Sequence, residues 1–202
     1  MVEVRRAVVA DASELVRLRG LMLADMHGRV PEPGPWQHLA AQTLRRRLDD
    51  GSLAAFVVDR GTVDGDGSVL TADRGIAGDG DGSTLTPNRS APVRDDLVRS
   101  GDHAGPAPGG LVACAVGVIE TRLGDPTNPS GESGYVFNVA TESGYRRRGY
   151  ARACVARLLD WYRRRGIPVV DLRATPDGEA LYRSLGFVSS ATPVLRLDNR
   201  IR

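Results

Sequence analysis

A break in composition limits the fold of this 202-residue chain more than any other sequence feature. Residues 61–110 hold 11 of the 24 glycines and no aromatic residue. Such a stretch buries too little apolar surface to offset the entropy lost on ordering. We therefore expect one domain over residues 1–202, interrupted at about 61–110 by a flexible insertion and built from the two flanking pieces.

The insertion is acidic and internally repeated. It carries eight Asp and four Arg, and DGDGSVLTADR (64–74) recurs as DGDGSTLTPNR (79–89). Carboxylates alternating with glycine raise the alternative of a calcium loop. An EF-hand, however, needs glycine at the sixth position, where Val69 and Thr84 stand. The repeat favours a linker extended by duplication.

Several classes of protein are excluded at this level. The longest apolar run, Leu111–Ile119, is far shorter than the roughly 20 residues of a membrane helix. The N-terminus lacks the apolar core of a signal peptide. Cys114 and Cys154 form no disulfide framework or CxxC pair, so we expect a cytoplasmic protein. Because no apolar run is long enough to span a membrane, we expect no membrane partner. The three histidines show no metal-ligand spacing, and no metal site is predicted.

Charge gives little sign of a nucleic-acid partner. The net charge is only +2. Arginine triplets at 45–47, 146–148 and 163–165 lie on separate elements without interleaved aromatic residues. Solvated helix faces, or a loop that binds a small anion, explain these triplets better than a nucleic-acid surface.

Strand and helix patterns alternate along the two flanking pieces, which predicts an α/β (α+β) domain with a mixed sheet. Asp11 and Glu14 are expected to form a capping box, and Thr175 to cap a short helix with Pro176 in its first position. The predicted strands are Val2–Val8, Leu53–Val58, Leu111–Thr121, Tyr135–Thr141, Ile167–Leu172 and Val194–Leu197. The predicted helices cover 12–26, 36–48, 149–165 and 176–185.

Residues 135–154 carry the clearest chemical signal. A strand ends, a tight turn follows, and a loop containing Gly149 opens a helix. The first turn of a helix has unpaired amides and the positive end of the helix dipole, so it favours a phosphate. Gly149 permits a close approach of the backbone, and neighbouring arginines add charge. The pattern predicts a pyrophosphate cradle that is neither a P-loop nor a GxGxxG loop.

The sequence RRRGYA (146–151) resembles the (Q/R)xxGx(G/A) acetyl-CoA motif of the GCN5-related N-acetyltransferases (GNAT). The strand FNV (137–139) and the later LYRSLGF (181–187) are also similar to this family, in family order. The resemblance covers about 150 residues, all but the insertion. It implies a largely antiparallel central sheet flanked by helices, with a splayed strand pair that binds acetyl-CoA.

The resemblance also implies a function. A primary amine would attack the thioester of acetyl-CoA directly in a ternary complex. We expect a small-molecule amine as acceptor, with a peptide N-terminus or a non-catalytic acyl-CoA sensor as alternatives. Homodimers are common in the family, and the sequence leaves open whether this chain forms one.

Functional residues follow from the resemblance position by position. Tyr182 matches the tyrosine that protonates the CoA thiolate, while Glu120, Asp171 or a water chain would act as base. The segment Thr175–Asp177 replaces an asparagine that contacts the cofactor in the family, so that contact is not expected. Residues implied to hold acetyl-CoA, mostly through their backbone, are Val139, Ala140, Thr141, Arg146, Arg147, Arg148, Gly149, Tyr150, Ala151 and Arg152.

Overall fold

The computed structural model describes residues 2–62, 110–190 and 195–199. Strands and helices alternate as the sequence patterns predict. The strands are β1 (Arg5–Arg6), β2 (Leu53–Asp59), β3 (Leu111–Thr121), β4 (Glu132–Thr141) and β5 (Val170–Leu172). The helices are α1 (Ala12–His27), α2 (Pro35–Asp49), α3 (Tyr150–Arg164) and α4 (Pro176–Arg183).

The strands form one mixed sheet in the order β1-β2-β3-β4-β5. Neighbouring strands are antiparallel except β4 and β5, which run parallel. One face packs against α3 through a core that includes Val155 and Leu158, and the other packs against α1 and α2 through Leu15 and Leu44. The predicted fold class, a largely antiparallel sheet flanked by helices, is confirmed.

The capping box expected at Asp11 is wrong. The Asp11 side chain makes no cap hydrogen bond to α1 and is fully buried. It accepts two hydrogen bonds from the Arg5 guanidinium, at 2.7 and 2.9 Å, while Asp59 accepts two more. A carboxylate is held more strongly by a bidentate guanidinium than by a single amide, so the ion pairs prevail.

Predictions at other helix ends and core positions hold. Thr175 caps α4 by accepting the amide of Gly178 at 3.3 Å, and Pro176 is the first helical residue. Cys154 is fully buried within the core. Trp36 is half-buried, packs against the α1–α2 core and donates its indole N–H to the carbonyl of Glu32 at 3.0 Å.

Strands near the two termini are shorter than predicted. Of Val2–Val8, only Arg5–Arg6 forms a strand. The strand does not reach Val8, because the Val8 amide donates a hydrogen bond to the Asp11 carboxylate at 2.8 Å and so belongs to the following turn. Of Ile167–Leu172, the strand begins at Val170, because Pro168 has no amide for the ladder.

The expected final strand is only partly testable. Val194 lies outside the described residues, and residues 195–199 form no strand. Residues 63–109 of the insertion, which include its repeat and the positions Val69 and Thr84, also lie outside them. No helix in the described ranges is long and apolar enough to cross a membrane.

Candidate active site

Strand β4 has one open edge over half of its length. Its pairing with β5 begins at Gly134 and ends where Val136 faces Leu172. Within the described residues, positions 138–141 pair only with β3, and Phe137 pairs with neither neighbouring strand. Their outward backbone groups therefore lie in a wedge that a ligand with amide groups can fill.

A β-bulge marks the point where the wedge opens. Val116 of β3 faces Asn138 while the next residue, Gly117, faces Val136, so Phe137 is an extra residue in β4. Bulges of this kind bend a strand and redirect its backbone groups. The sequence carries no local sign of this bulge, because it depends on the register with β3.

The three positions implied to hold the pantetheine arm all lie in the open half of β4. Val139, Ala140 and Thr141 pair with Ala115, Cys114 and Ala113 on their β3 side. The Thr141 hydroxyl is buried and finds no hydrogen-bond partner among the described residues. A buried hydroxyl without a hydrogen-bond partner is expected at a site where a ligand supplies the missing hydrogen bond.

The cradle, residues 146–152, follows β4 after a short 3₁₀ turn. Arg147 and Gly149 both adopt left-handed backbone conformations, with φ of 65° and 82°. The amide of Ala153 donates to the carbonyl of Gly149 at 2.9 Å, and this is the first backbone hydrogen bond of α3. The amides of residues 150–152 therefore have no helical acceptor and lie at the positive end of the helix dipole. This arrangement is suited to an anion.

The consecutive arginines of the cradle make different contacts. Arg146 forms an ion pair with Asp25 of α1 at 2.5 Å and donates from Nε to the carbonyl of Thr141 at 3.1 Å. The Arg148 guanidinium lies 5.6 Å from the ring centroid of Tyr145. The Arg147 side chain is exposed. The three side chains are thus not equivalent sources of charge for a phosphate.

The remaining cradle side chains have structural partners. Tyr150 is 2% exposed and packs in the α3 core, which leaves only its amide at the surface of the cradle. Arg152 donates to the carbonyl of Ser184 at 3.3 Å and so links α3 to the end of α4. Ala151 is partly buried.

Tyr182 and Asp171 line the same groove, which has a volume of about 410 Å³ and lies between β5 and α4. Tyr182 is half-buried, and its ring meets that of Phe187 edge-on with the centroids 5.9 Å apart. Burial raises the pKa of Tyr182 above its ordinary value, so the phenol is protonated at neutral pH. Asp171 is exposed on β5 next to Leu172, the last residue paired with β4.

Glu120 does not line this groove. It faces Ser133 near the far end of β3 and forms an ion pair with Arg122 at 3.0 Å. It lies three residues, or roughly 10 Å, beyond the bulge partner Gly117. Of the two candidate bases, the structure brings only Asp171 beside Tyr182.

Glu142 is a residue that sequence reasoning missed. It follows β4 directly and contacts arginines from two distant elements, Arg17 and Arg60. No sequence signal identifies it, because the three residues meet only through the tertiary fold.

Among the described residues, no group of three or more His, Cys, Asp or Glu is placed to hold a metal ion.

Comparisons with known proteins agree with this geometry. Residues 91–187 match the model of the Acetyltransferase (GNAT) family. A predicted acetyltransferase from Clostridium acetobutylicum, solved with acetyl-CoA, superposes with a TM-score of 0.67 at 20% identity, covering 98% of this chain and 96% of its own. A GCN5-related N-acetyltransferase from Ralstonia eutropha JMP134 superposes with a TM-score of 0.62 at 18% identity, covering 96% of this chain and 97% of its own.

A third similar structure is an aminoglycoside acetyltransferase from an uncultured soil metagenomic sample, in complex with sisomicin. It superposes with a TM-score of 0.55 at 11% identity, covering 98% of this chain and 95% of its own. No curated protein matches the chain. At these identities the solved structures establish the fold. The match over residues 91–187 and the wedge beside the helix N-terminus make the GNAT acetyltransferases the family that this chain resembles.

Proposed function

We propose that this protein transfers the acetyl group of acetyl-CoA to a primary amine, by direct attack of the amine in a ternary complex. The observation that carries the proposal is the continuity of the open edge of β4 with the cradle. Within the described residues, positions 137–141 have no strand partner on their β5 side, and the amides of residues 150–152 follow at the start of α3. An arm of amides that ends in a pyrophosphate has the shape and polarity of that surface.

The chain's own residues would divide the binding between them. The backbone of Val139, Ala140 and Thr141 would hold the pantetheine arm, and the amides of Arg147–Arg152 the pyrophosphate. Acetyl-CoA, when bound, supplies the activated acetyl thioester. The Thr141 hydroxyl, which is buried and has no partner among the residues that the structure describes, supports a ligand at this position.

Tyr182 would donate the proton that the leaving thiolate needs. Burial raises the pKa of the phenol, which carries its proton at neutral pH but releases it less readily than an exposed tyrosine does, so the position of Tyr182 in the groove supports this role and its pKa does not. Asp171 would accept the proton of the amine, directly or through water, because it shares the groove with Tyr182. Glu120 is the weaker choice as base, since Arg122 already pairs with it away from the groove.

We propose a small-molecule amine as acceptor. The support is the structural similarity to an acetyltransferase solved with sisomicin, which is an amine-bearing small molecule. We also propose that residues 1–202 form one domain, because the amide of Arg60 donates to the carbonyl of Gly110 at 3.0 Å and so joins the two flanking pieces. Cytoplasmic location and a homodimer stay predictions.

The test is a calorimetric titration with acetyl-CoA, run beside a thiol-release assay over small amines and peptides with free N-termini. We expect saturable binding and thiol release with at least one small amine. Thiol release with peptides but with no small amine would make a peptide N-terminus the acceptor in place of a small-molecule amine. Binding without turnover on any amine would favour an acyl-CoA sensor, and an absence of binding would refute the assignment of the cradle.

A further inference from the structure

Glu142 lies at the join between β4 and the cradle. Its amide donates to the carbonyl of Val112 at 2.9 Å, which continues the β3–β4 ladder by one more bond. Its carbonyl accepts the amide of Tyr145 at 2.9 Å, which closes the 3₁₀ turn that leads to Arg146. The backbone of Glu142 is therefore where the strand ends and the turn toward the cradle begins.

The Glu142 side chain is held by arginines from two other elements. Its Oε1 lies 2.6 Å from Nη1 of Arg17 on α1, and its Oε2 accepts from Nη2 of Arg60 at the end of β2. The side chain is only 15% exposed. A carboxylate that accepts from two guanidinium groups in a partly buried site is fixed more firmly than a surface ion pair.

A chain of contacts leads from this carboxylate into the cradle. Arg60 also donates from Nη1 to the Tyr145 hydroxyl at 3.2 Å, and its guanidinium lies 5.3 Å from the centroid of that ring. The Arg148 guanidinium lies over the same ring. Cation–π contacts of this kind favour one placement of each partner. Glu142, Arg60, Tyr145 and Arg148 thus form a continuous path.

We propose that Glu142 is a positioning residue for the cofactor, acting through Arg60 and Tyr145 on the conformation of the cradle. The inference rests on the proposed function, because the cradle is taken to hold the pyrophosphate of acetyl-CoA. By charge alone, an acidic residue beside this site would weaken the binding of an anion. Its contribution must therefore be geometric: it holds the turn so that the cradle amides are already in place when the phosphates arrive.

The test compares two probes on Glu142→Gln. Acetyl-CoA uses the cradle, whereas S-acetyl-pantetheine has the same thioester and arm but no phosphate. We expect the Kd for acetyl-CoA to rise by about 10-fold or more, which corresponds to the loss of one charged hydrogen bond. The Kd for S-acetyl-pantetheine, measured by competition with acetyl-CoA, should stay the same. A merely structural role would weaken both probes together.

Glu14→Gln is the matched control. Glu14 belongs to the same network, since it pairs with Arg17 at 2.9 Å and accepts the amide of Leu111 at 3.0 Å. The substitution removes the same charge from this network. Among the described contacts, Glu14 acts on Arg60 only by electrostatic attraction and has no hydrogen bond or ion pair with the turn or Tyr145. We expect its Kd for acetyl-CoA to change by less than about 2-fold.

Tyr145→Leu keeps the proposal testable if Glu142→Gln does not fold. It leaves the ion pairs of Glu142 intact and removes the ring between Arg60 and Arg148, so we expect the same selective loss of acetyl-CoA affinity. Equal losses for both probes, an equal loss in Glu14→Gln, or tighter binding of acetyl-CoA would overturn the positioning role. A wild-type protein that binds neither probe would overturn the proposed function, and this inference with it.

Discussion

The two halves of β4 differ sharply although they belong to one continuous strand. Gly134–Val136 lies between β3 and β5, whereas residues 138–141 pair only with β3 in the described part of the chain. Each half has its own tyrosine. The Tyr162 hydroxyl lies at the first half, where its one proton is shared between the carbonyls of Val118 at 3.0 Å and Tyr135 at 3.2 Å. Tyr182 lies beside Leu172, where β5 leaves β4.

The difference shows what separates a structural tyrosine from a candidate catalytic one. Tyr162 is 1% exposed, its hydroxyl is fully used by backbone carbonyls, and it packs into a slot left by Gly117 and Gly134. Tyr182 is half-buried and lines an open groove. Burial raises the pKa of both phenols, so the pKa alone does not identify the functional group; access to a ligand does.

The largest expected effect separates the two tyrosines by activity. Tyr182→Phe should lower kcat by about 100-fold or more, because the thiolate loses its proton donor, while the affinity for acetyl-CoA changes little. Tyr162→Phe should leave kcat within about 2-fold and lower the free energy of unfolding by about 1 kcal/mol through its lost hydrogen bonds. Steady-state kinetics with the amine found in the acceptor panel is the measurement. An unchanged kcat in Tyr182→Phe would remove this residue from the chemistry.

The next effect concerns the closed half alone. A Cβ at Gly134 would lie 2.7 Å from Cε1 of Tyr162, so Gly134→Ala should lower the free energy of unfolding by about 2–3 kcal/mol. Gly144→Ala is the control, because a Cβ there meets nothing within 4 Å, and it should change stability by less than about 0.5 kcal/mol. Urea denaturation measures both. Equal values for the two variants would show that Tyr162 does not lock the closed half.

The smallest effects test the cradle and have opposite signs. Gly149→Ala should destabilise the protein by about 1 kcal/mol, because its left-handed backbone disfavours any side chain. Arg147→Gly should stabilise it by about 0.5 kcal/mol, since relief of the same conformation exceeds the entropy that glycine adds to the unfolded chain. The same urea experiment applies. Destabilisation by both substitutions would contradict a cradle with two left-handed residues.

Local patterns predicted much of this architecture. The strand Leu111–Thr121 has the predicted bounds, and Thr175 caps α4 as expected. These features depend on residues close in sequence, such as a run of β-branched side chains or a hydroxyl three residues from an amide. The cradle motif 146–151 was also readable, because a loop that opens a helix is a local feature.

Contacts between distant segments were not readable from the sequence. Asp11 looked like a helix cap, yet Arg5 holds it in an ion-pair cluster in which the same guanidinium also pairs with Asp59. The bulge at Phe137 depends on how β4 meets β3, and the open edge depends on where β5 ends. Glu142 gains its role only where α1 and β2 bring Arg17 and Arg60 together.

The sequence by itself determined that the chain alternates strand and helix around an atypical insertion and that one loop suits a pyrophosphate. Only the tertiary structure decided which of three adjacent arginines pairs with Asp25 and which lies over Tyr145. It also decided that Asp171, and not Glu120, shares a groove with Tyr182. The physical reason is that propensity and capping act over a few residues, whereas burial, ion pairing and strand register depend on segments far apart in the chain.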